Sequence, residues 1–540
     1  MSAATLPATA TGRAAPRAAV NPWVLAMVVT VPTFMEVLDT SIANVALRHI
    51  AGGLSAAAND SEWVITSYLA ANAIVLPLSG WLSTMFGRRN YFLASVAMFT
   101  ASSVFCGLAT NLPMLIFARI VQGLAGGGLQ PSTQGVLLDT FPPEKQGSAM
   151  AMFGVGVLIA PILGPTLGGW ITDNYSWRWI FYINLPVGVV AFLLSYWLLE
   201  DPDYLKALRA ERRGQPLRLD ILGLGLLALG LGCLEVVLSK GQEWDWFGDP
   251  SGRVQILVVL LVVSLVGFVI RQLTTAHPVV NLRPLADRNF AVSSVIIFAN
   301  YAVLYGALTS LPGMLQSLFG YDATNSGLVL SPSGFFALLM MPVVGFLLSR
   351  GVDARVLITC GLCLVSAGCY WMSQMNLFIS PSQVVWPRVV QTMGTSVLFA
   401  PLNVAAYIYL PRELRGSAAG LYNLLRNEGG SVGTSAAKTL LQRREQFHTL
   451  RLGESLDPFN PNVAEALSSG QAQLQQRLGD PAYSEQLTYQ ILSDTRQQQS
   501  AALSYFDAFW VFAILALMLC PLVLLIRRSV AERGAHVAAE

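Results

Sequence analysis

Ionisable side chains inside apolar stretches are the first candidates for chemistry in this sequence. The apolar stretch 23–47 carries Glu36 and Asp39, and the stretch 113–138 carries Arg119. A charged side chain in a long apolar helix is costly and usually marks a functional position. Residues three apart share one helix face, so we expect both carboxylates to point the same way. We predict Asp39, together with Glu36, as the proton-binding group and Arg119 as the cation that responds to its ionisation.

A second set of buried charges lies in the other half of the chain. Arg388 falls in the apolar stretch 383–409, and Arg426 and Glu428 fall in 417–441. A carboxylate in an apolar site can be held protonated by desolvation and ionised by an approaching cation. We predict a second polar cluster from these three residues. The alternative is an ion pair of purely structural kind, in which Arg426 and Glu428 satisfy each other among closely packed glycines.

The sequence carries no pattern for enzymatic chemistry. Its six cysteines lie in apolar stretches and its four histidines are scattered, so no metal-ligand spacing occurs. No nucleophile–base pair or phosphate-binding glycine loop is present, so ATP is excluded as the direct energy source. We therefore predict neither an enzyme nor a cofactor. If the protein does work across a membrane, the proton gradient is its expected source of energy.

The composition indicates a membrane protein. Of the 540 residues, 54% are hydrophobic and only 12% are charged, about half the charged fraction of soluble domains. The net charge of +2 gives no reason to expect a nucleic-acid partner; the expected surroundings are a lipid bilayer. The apolar run that begins at Trp23 is too long for the core of a signal peptide and should remain as a membrane span.

About 20 apolar residues are needed to cross a bilayer as a helix, and this criterion predicts fourteen spans. They are placed at 23–47, 62–83, 90–109, 113–138, 147–171, 179–199, 219–239, 254–272, 291–315, 325–349, 356–374, 383–409, 417–441 and 505–527. The fold class is therefore an all-α polytopic membrane protein.

The distribution of Lys and Arg predicts the orientation. Most of these residues in short loops fall on the side of the N-terminus, whereas Arg48, Arg178, Lys240 and Arg253 fall on the other side. Positive charge accumulates on the cytoplasmic side, so both termini are expected in the cytoplasm. Asp39 then lies roughly 12 Å and Arg119 roughly 9 Å from the outer ends of their spans. The two side chains can meet, either as a switch or as a static pair that fixes helix packing.

The two halves of the chain are related by a parallel repeat. ARIVQG at 118–123 is echoed by PRVVQT at 387–392, an offset that also relates Pro142 to Pro411. A parallel repeat of six-span halves places the substrate site between the halves at mid-membrane. We predict a cytoplasmic N-terminal arm (1–22), a six-helix bundle (23–199), linkers with two inserted helices (200–290), a second bundle with a periplasmic loop at 442–504 (291–527) and a cytoplasmic tail (528–540).

The fifth span is rich in glycine and proline. The string GVLIAPILGPTLGG occupies 156–169. Small residues four apart allow helices to approach closely, and proline removes a backbone donor and bends the helix. We predict tight packing or a rocking joint at Gly156, Pro161, Gly164, Pro165, Gly168 and Gly169.

These motifs resemble the EmrB/QacA-type branch of the major facilitator superfamily, the fourteen-span drug:proton antiporters. LDTSIANVAL at 38–47 resembles its first-span signature, FARIVQGLAGGG at 117–128 its fourth-span motif and 156–169 its antiporter motif. The resemblance covers nearly the whole chain. It implies two six-helix bundles with two inserted helices, and proton-coupled export of amphiphilic small molecules across the bacterial inner membrane.

The loop between the second and third spans departs from the family pattern. GWLSTMFGRR at 80–89 has Thr84 and Met85 where an acidic and a basic residue are common, but it keeps the gating-loop residues Gly80, Gly87, Arg88 and Arg89. Polar positions in the spans suggest a substrate cavity at Asn72, Gln122, Asn300, Gln391 and Asn403.

Two alternatives remain for the function, and the partners are implied only by resemblance. The chain would otherwise export an endogenous lipid, fatty acid or secondary metabolite, or would be a receptor or scaffold that transports nothing. Some members of the branch work with a periplasmic membrane-fusion protein and an outer-membrane channel. The polar, Gln-rich segment 442–504 is compatible with helices outside the membrane, and it either docks such a partner, covers the outer exit or is a solvated connector.

Overall fold

A computed structural model describes residues 21–202, 204–206, 210, 220–275, 278–457 and 459–528, and these ranges contain helices and no strands. Thirteen of the helices are long and apolar enough to cross a membrane. The main helices are α1 (Pro22–Gly53), α2 (Trp63–Phe86), α3 (Arg88–Gly107), α4 (Leu112–Thr140), α5 (Pro143–Asn174), α6 (Trp179–Leu198), α7 (Ile221–Lys240), α8 (Arg253–Thr274), α9 (Arg288–Leu318), α10 (Ala323–Ser349), α11 (Ala354–Ser373), α12 (Pro381–Tyr407), α13 (Arg415–Ser455), α14 (Pro461–Leu478) and α15 (Pro481–Val523).

Helix α13 contains the one predicted span that is absent from these thirteen, because it is too polar to be recognised by hydropathy alone. Its first half carries Asn423, Arg426 and Glu428, all of which are buried. It packs against α9 and α15 and along the inner part of α2. A helix enclosed by other helices does not need an apolar outer face. The all-α membrane fold is confirmed, with α13 as an interior span.

The inserted helices α7 and α8 lie at the periphery of the molecule. One face of α8 is a row of exposed aliphatic side chains, and its packing is mainly against α7. The two helices are joined at one end by Asp220, which accepts from the Gly223 N–H (3.0 Å), from Arg271 Nε (3.1 Å) and from Gln272 Nε2 (3.2 Å). Helix α7 in turn contacts α2 of the first half and α13 of the second.

The sequence offset of 269 residues reappears as a spatial relation between the halves. Helix α1 packs on α5, and the equivalent α9 packs on α13; across the interface α5 packs on α10 and α13 on α2. Gln134 and Asn403, which are 269 residues apart, meet at this interface, with Gln134 Nε2 3.4 Å from Asn403 Oδ1. Equivalent residues of a parallel repeat touch each other only near the axis that relates the halves. The inner part of α4 and α12 therefore lies beside this axis.

The predicted loop 442–504 is largely helical. Helix α13 continues to Ser455 beyond the predicted span, and α15 begins at Pro481, well before it. Helix α14 packs along α15, so the segment forms a helical hairpin. The predicted N-terminal arm and C-terminal tail fall almost entirely at 1–20 and 529–540, outside the described residues.

Candidate functional site: a cavity between the two halves

A cavity of about 920 Å³ lies between the two halves of the molecule. At its deep end it is lined by Glu36 of α1 and Arg426 of α13, and towards its mouth by Arg48, Glu62 and Lys438. These last three residues lie near the ends of α1, α2 and the membrane part of α13 that face the same side. Both halves contribute walls, so movement of one half against the other would change the shape and the access of the cavity.

The opposite end of the interface is closed by direct contact between the halves. Gln134 of α4 accepts hydrogen bonds from Tyr407 (3.3 Å) and Asn423 (2.8 Å), and the Ser148 hydroxyl donates to the Gly345 carbonyl at 3.3 Å. At Gly80 the backbones themselves meet: a Cβ placed there would lie 2.7 Å from the Ser417 nitrogen. The structure is therefore open at one end and sealed at the other.

This contact gives a prediction for Gly80→Ala. The added methyl group cannot fit against the α13 backbone, so the sealed end should open and the observed state should lose population. Overpacking of this kind costs about 1–3 kcal/mol, and we expect labelling of a cysteine introduced on the cavity wall (Thr434→Cys) from the open side to slow about tenfold.

Gly416→Ala is the matched control, because the nearest atom to a Cβ there is 3.6 Å away. Labelling at the wild-type rate in Gly80→Ala would mean that this contact does not set the equilibrium between the two states.

Glu36 is the carboxylate at the deep end of the cavity. It accepts hydrogen bonds from Gln130 (2.5 Å), Asn72 (3.1 Å) and the Tyr68 hydroxyl (3.3 Å). These donors come from α4 and α2, so three helices of the first half fix its position. The side chain is nearly inaccessible but lines the cavity wall. A carboxylate in this position can exchange protons with the cavity and respond to a ligand inside it.

Asp39 lies behind the cavity wall and is fully hydrogen-bonded. Arg119 Nη1 contacts it at 2.5 Å, Asn184 donates at 2.7 Å and Gln122 at 3.1 Å. The Arg119 guanidinium also lies over the Tyr68 ring, 4.1 Å from its centre, and is completely buried. Desolvation of this kind is tolerated only where the charges are paired and further hydrogen-bonded. The pair is a cross-link between α1, α4 and α6.

Glu36 and Asp39 therefore have different surroundings although they are three residues apart. The expectation that both point the same way is wrong: the rotation between i and i+3 is enough to turn Glu36 to the cavity and Asp39 to α4 and α6. Tyr68 links the two, because its hydroxyl donates to Glu36 while its ring covers Arg119. A change at Glu36 is thus transmitted to the Asp39–Arg119 pair through one side chain.

The predicted second cluster is not brought together. Arg426 and Glu428 are two residues apart in α13, a spacing that places side chains on different faces. Neither Glu428 oxygen has a hydrogen-bond partner among the described residues, and Arg426 Nε and Nη1 also have none. A self-satisfying Arg426–Glu428 pair is therefore contradicted by the geometry. Arg426 lines the cavity, whereas Glu428 lies on the face turned towards α7.

Arg388 reproduces only half of the Arg119 arrangement. Arg388 Nη1 donates to Gln391 at 2.5 Å, as Arg119 donates to Gln122 at 2.8 Å. Among the described residues, however, no carboxylate pairs with Arg388, and its Nε and Nη2 are buried without partners. The Arg–Gln contact is therefore present in both halves of the repeat, whereas the carboxylate partner of the arginine, Asp39, is present only in the first half among the described residues.

Of the five amides suggested for the cavity, Asn72 lies on its wall. Gln122 and Gln391 are held inside their own bundles by the arginines described above, and Asn403 lies at the sealed end next to Gln134. Asn300 is buried outside the cavity lining, with both amide atoms unpartnered among the described residues. Polarity in a span does not distinguish a cavity wall from a packing position.

The glycine–proline string of α5 has two faces. Gly156, Gly164 and Gly168 pack on α1, and Pro161, Pro165 and Gly169 line the cavity. Pro165 cannot donate to the carbonyl four residues earlier. That carbonyl, of Pro161, accepts instead from the Ser41 hydroxyl of α1 at 3.2 Å. The bend in α5 is thus compensated by its neighbour, and the two helices form a close seam.

Gly164→Ala tests this seam. A Cβ at Gly164 would lie 2.2 Å from Ser41 Oγ and displace the hydroxyl that satisfies Pro161. We expect a loss of about 1–3 kcal/mol in the free energy of unfolding, measured by thermal unfolding in detergent.

Gly225→Ala in α7 is the control, because no atom lies within 4 Å of a Cβ at Gly225. It should leave the melting temperature unchanged or raise it. Equal melting temperatures for both variants would contradict a tight α1–α5 seam.

The gating-loop residues are held by acids that lie elsewhere in the sequence. Arg88 pairs with Asp139 at the end of α4, and Tyr204 donates to the same carboxylate at 2.8 Å. The Arg89 N–H donates to Asp201 at 2.7 Å. Gly87 joins α2 to α3 with a positive φ of 86°, and Thr84 only caps its own helix turn by donating to the Gly80 carbonyl. Asp139 therefore supplies the carboxylate that the loop itself lacks.

Sequence reasoning missed several residues of these networks, among them Tyr68, Gln130, Asn184 and Asp139. It also missed Glu235, a cavity-wall residue of the apolar helix α7, which the criterion applied to the other spans would have found. The amides carry no such signal, because an amide in a span is common and its partner depends on helix rotation.

Comparison with known proteins supports the same fold. The model of the Major Facilitator Superfamily matches residues 30–434, three quarters of the chain. The chain belongs to the major facilitator superfamily. Family members are transporters rather than enzymes, so the prediction of a transporter is confirmed.

The most similar relatives place the chain in the EmrB-type branch of the family. It is 37% identical to the multidrug export protein EmrB of Escherichia coli (strain K12), over 93% of this chain and 94% of that protein. It is 40% identical to EmrB of Haemophilus influenzae, over 81% and 84%, and 34% identical to the fatty acid resistance protein FarB of Neisseria gonorrhoeae, over 91% and 93%.

Solved structures agree at the level of the fold. The proton:xylose symporter XylE superposes with a TM-score of 0.58 at 13% identity, over 93% of this chain and 94% of that one. At this identity the likeness carries the helix arrangement only.

Proposed function

We propose that this protein is a proton-coupled antiporter that exports amphiphilic small molecules across the bacterial inner membrane. The observation that carries the proposal is the cavity between the halves, sealed at one end and with Glu36 at its deep end. With both termini in the cytoplasm, the sealed end is cytoplasmic and the structure is an outward-open state. The named export proteins among the relatives support the same direction of transport.

The geometry suggests how a proton could be exchanged for substrate. In the outward-open state Glu36 takes up a proton from the cavity. After the halves rock and the inner end opens, Glu36 releases the proton and the cavity takes up a substrate. Tyr68 connects Glu36 to the Asp39–Arg119 cross-link and so relates the protonation of Glu36 to the packing of α1, α2 and α4. No cofactor is part of this scheme.

The test uses the purified protein in lipid vesicles. An imposed pH gradient should drive uptake of amphiphilic dyes or drugs, and a dissipated gradient should stop it. Substrate movement should also shift protons in the opposite direction, as reported by a pH-sensitive dye. A transport rate that is the same with and without the pH gradient would exclude proton coupling. The absence of transport for all compounds would support the scaffold alternative.

One observation favours an acidic amphiphile, such as a fatty acid, as a substrate. Arg426 lies on the cavity wall, almost completely buried, and its Nε and Nη1 have no partner among the described residues. Such a cation is suited to bind a carboxylate by charge-assisted hydrogen bonds. FarB, a relative at 34% identity, is named for fatty acid resistance. Arg426→Gln should weaken transport of anionic amphiphiles and spare cationic ones; equal losses for both would contradict a head-group role.

The helical hairpin formed by α14 and the first part of α15, together with the end of α13, is the proposed contact for a periplasmic membrane-fusion protein and, through it, for an outer-membrane channel. Its helices extend well beyond the membrane-crossing length. Replacing 456–480 by a short linker should leave transport in vesicles intact and reduce export by whole cells. An equal loss in both assays would show that the hairpin serves the transporter itself.

A further inference from the structure

Helix α7 bridges the two halves at the cavity. The hydroxyl oxygens of Ser239 and of Thr66 in α2 lie 2.5 Å apart, and Lys240 Nζ lies 3.2 Å from a carboxylate oxygen of Glu62, the residue before α2. On its other side α7 meets α13, where Ser431 donates to Glu235 at 3.0 Å. An inserted helix that only filled space would need no polar contact with both halves. Its position makes it responsive to movement of one half against the other.

Glu235 faces a second buried carboxylate. Glu428 lies one helical turn before Ser431, on the same face of α13, and Ser431 is the residue that donates to Glu235 across the contact between α7 and α13. Both residues lie about 20 Å from the first residues of their helices, which run in the same direction, so they are at one level. Glu235 is 4% and Glu428 is 5% exposed.

Among the described residues, the pair has no compensating cation. Neither acid forms an ion pair among the described residues; Glu235 accepts one hydrogen bond from Ser431, and both Glu428 oxygens have no donor at all. Two ionised carboxylates in this position would repel each other and would both lack solvation. Close carboxylates under these conditions hold one proton between them.

We propose that Glu235 and Glu428 share one proton and form a proton-binding site between the inserted helix α7 and α13, distinct from Glu36. Glu235 lines the cavity and gives the proton its route, whereas Glu428 lies behind it. Loss of the proton leaves two adjacent negative charges and pushes α7 and α13 apart. The inserted helices thereby take part in coupling.

Other titratable groups set the field around the pair. No guanidinium or ammonium group contacts either carboxylate among the described residues. The groups that face this region from the packed helices are Arg426 of α13, Tyr301 and Tyr305 of α9, Tyr68 of α2, Glu36 of α1, and, towards the mouth, Glu62, Lys240, Glu243 and Lys438.

The proton count can be measured without transport. Infrared spectra of the purified full chain report protonated carboxyl groups through their C=O band. In acid, the wild type should exceed the double variant Glu235→Gln/Glu428→Gln by two protonated carboxyls. At neutral pH, where ordinary carboxyls are ionised, the excess should fall to half of its acid value. An excess that disappears at neutral pH, or one that stays at its full acid value, overturns the proposal.

The consequence for transport rests on the proposed proton-coupled export. Glu235→Gln and Glu428→Gln should each reduce gradient-driven transport roughly tenfold, and the double variant no further. Gly232→Ala, which also changes α7 but places its Cβ more than 4 Å from any other atom and keeps both acids, should transport as the wild type does. Wild-type transport by either Gln variant would contradict a role in coupling. Failure of the wild type to transport would refute the proposed function and leave the infrared result to decide the shared proton.

Discussion

We expect the replacement of Glu36 by Gln to abolish transport driven by a pH gradient and to leave gradient-independent exchange of substrate across the vesicle membrane intact. Glutamine keeps the size of the side chain and one of its two acceptor oxygens, so that either Asn72 or Gln130 retains its hydrogen bond, but it cannot gain or lose a proton. If Glu36 is the exchangeable group of the cavity, the uphill flux should fall by a factor of at least about 100, a typical loss for removal of an acid–base group.

Glu62→Gln is the matched control for this experiment. Glu62 also lines the cavity, but it lies near the mouth and contacts Lys240 and Lys438. We expect its uphill flux to stay within a few-fold of wild type, because the buried Lys240 keeps Glu243 as a partner and the contact with the exposed Lys438 contributes little. Proton-driven transport by Glu36→Gln at the wild-type rate would show that Glu36 is not the group that couples proton movement to transport.

We expect removal of the guanidinium of Arg119 to destabilise the protein and removal of that of Arg388 not to do so. Arg119→Met leaves Asp39 buried with only Asn184 and Gln122 as donors, and an uncompensated buried charge costs about 3–5 kcal/mol. Arg388→Met removes a buried cation that has no carboxylate partner among the described residues, so its free energy of unfolding should stay the same or rise.

The two variants control each other because they occupy equivalent positions of the repeat. Thermal unfolding in detergent measures both, and the double variant Asp39→Asn/Arg119→Met should recover part of the lost stability by removing the second charge. Similar melting temperatures for Arg119→Met and wild type would show that the pair is not needed for packing and would restore the possibility of a switch.

Most of the fold could be predicted from the sequence because a helix that contacts lipid needs a long apolar face. Helix α8 is the clearest example, with a nearly continuous aliphatic surface. Helix α13 fails a strict hydropathy criterion because its neighbours replace the lipid, although the looser count of apolar residues placed a span at 417–441. The polar segment 442–504 carries no membrane signal, so the sequence predicted a segment outside the membrane that is compatible with helices, but not where those helices begin and end.

The candidate site was accessible only in part. Charges in apolar helices marked Glu36, Asp39 and Arg119, but their division into a cavity residue and a buried cross-link depends on how α1 is rotated. The same kind of rotation separates Arg426 from Glu428 in α13 and turns the latter towards α7. An amide in a span can be recognised as part of a site only when the structure shows the carboxylate to which it donates a hydrogen bond.

The polarity of α13 has a consequence for the assembly of the protein in the membrane. A segment with Arg426, Glu428 and several amides gains too little from hydrocarbon to partition into it alone. It must enter the bilayer beside α9, which precedes it and supplies a protected surface. A nascent chain released after α13 but lacking α9 should leave this segment in the aqueous phase. The order of synthesis, in which α9 comes first, thus provides the docking partner that α13 requires.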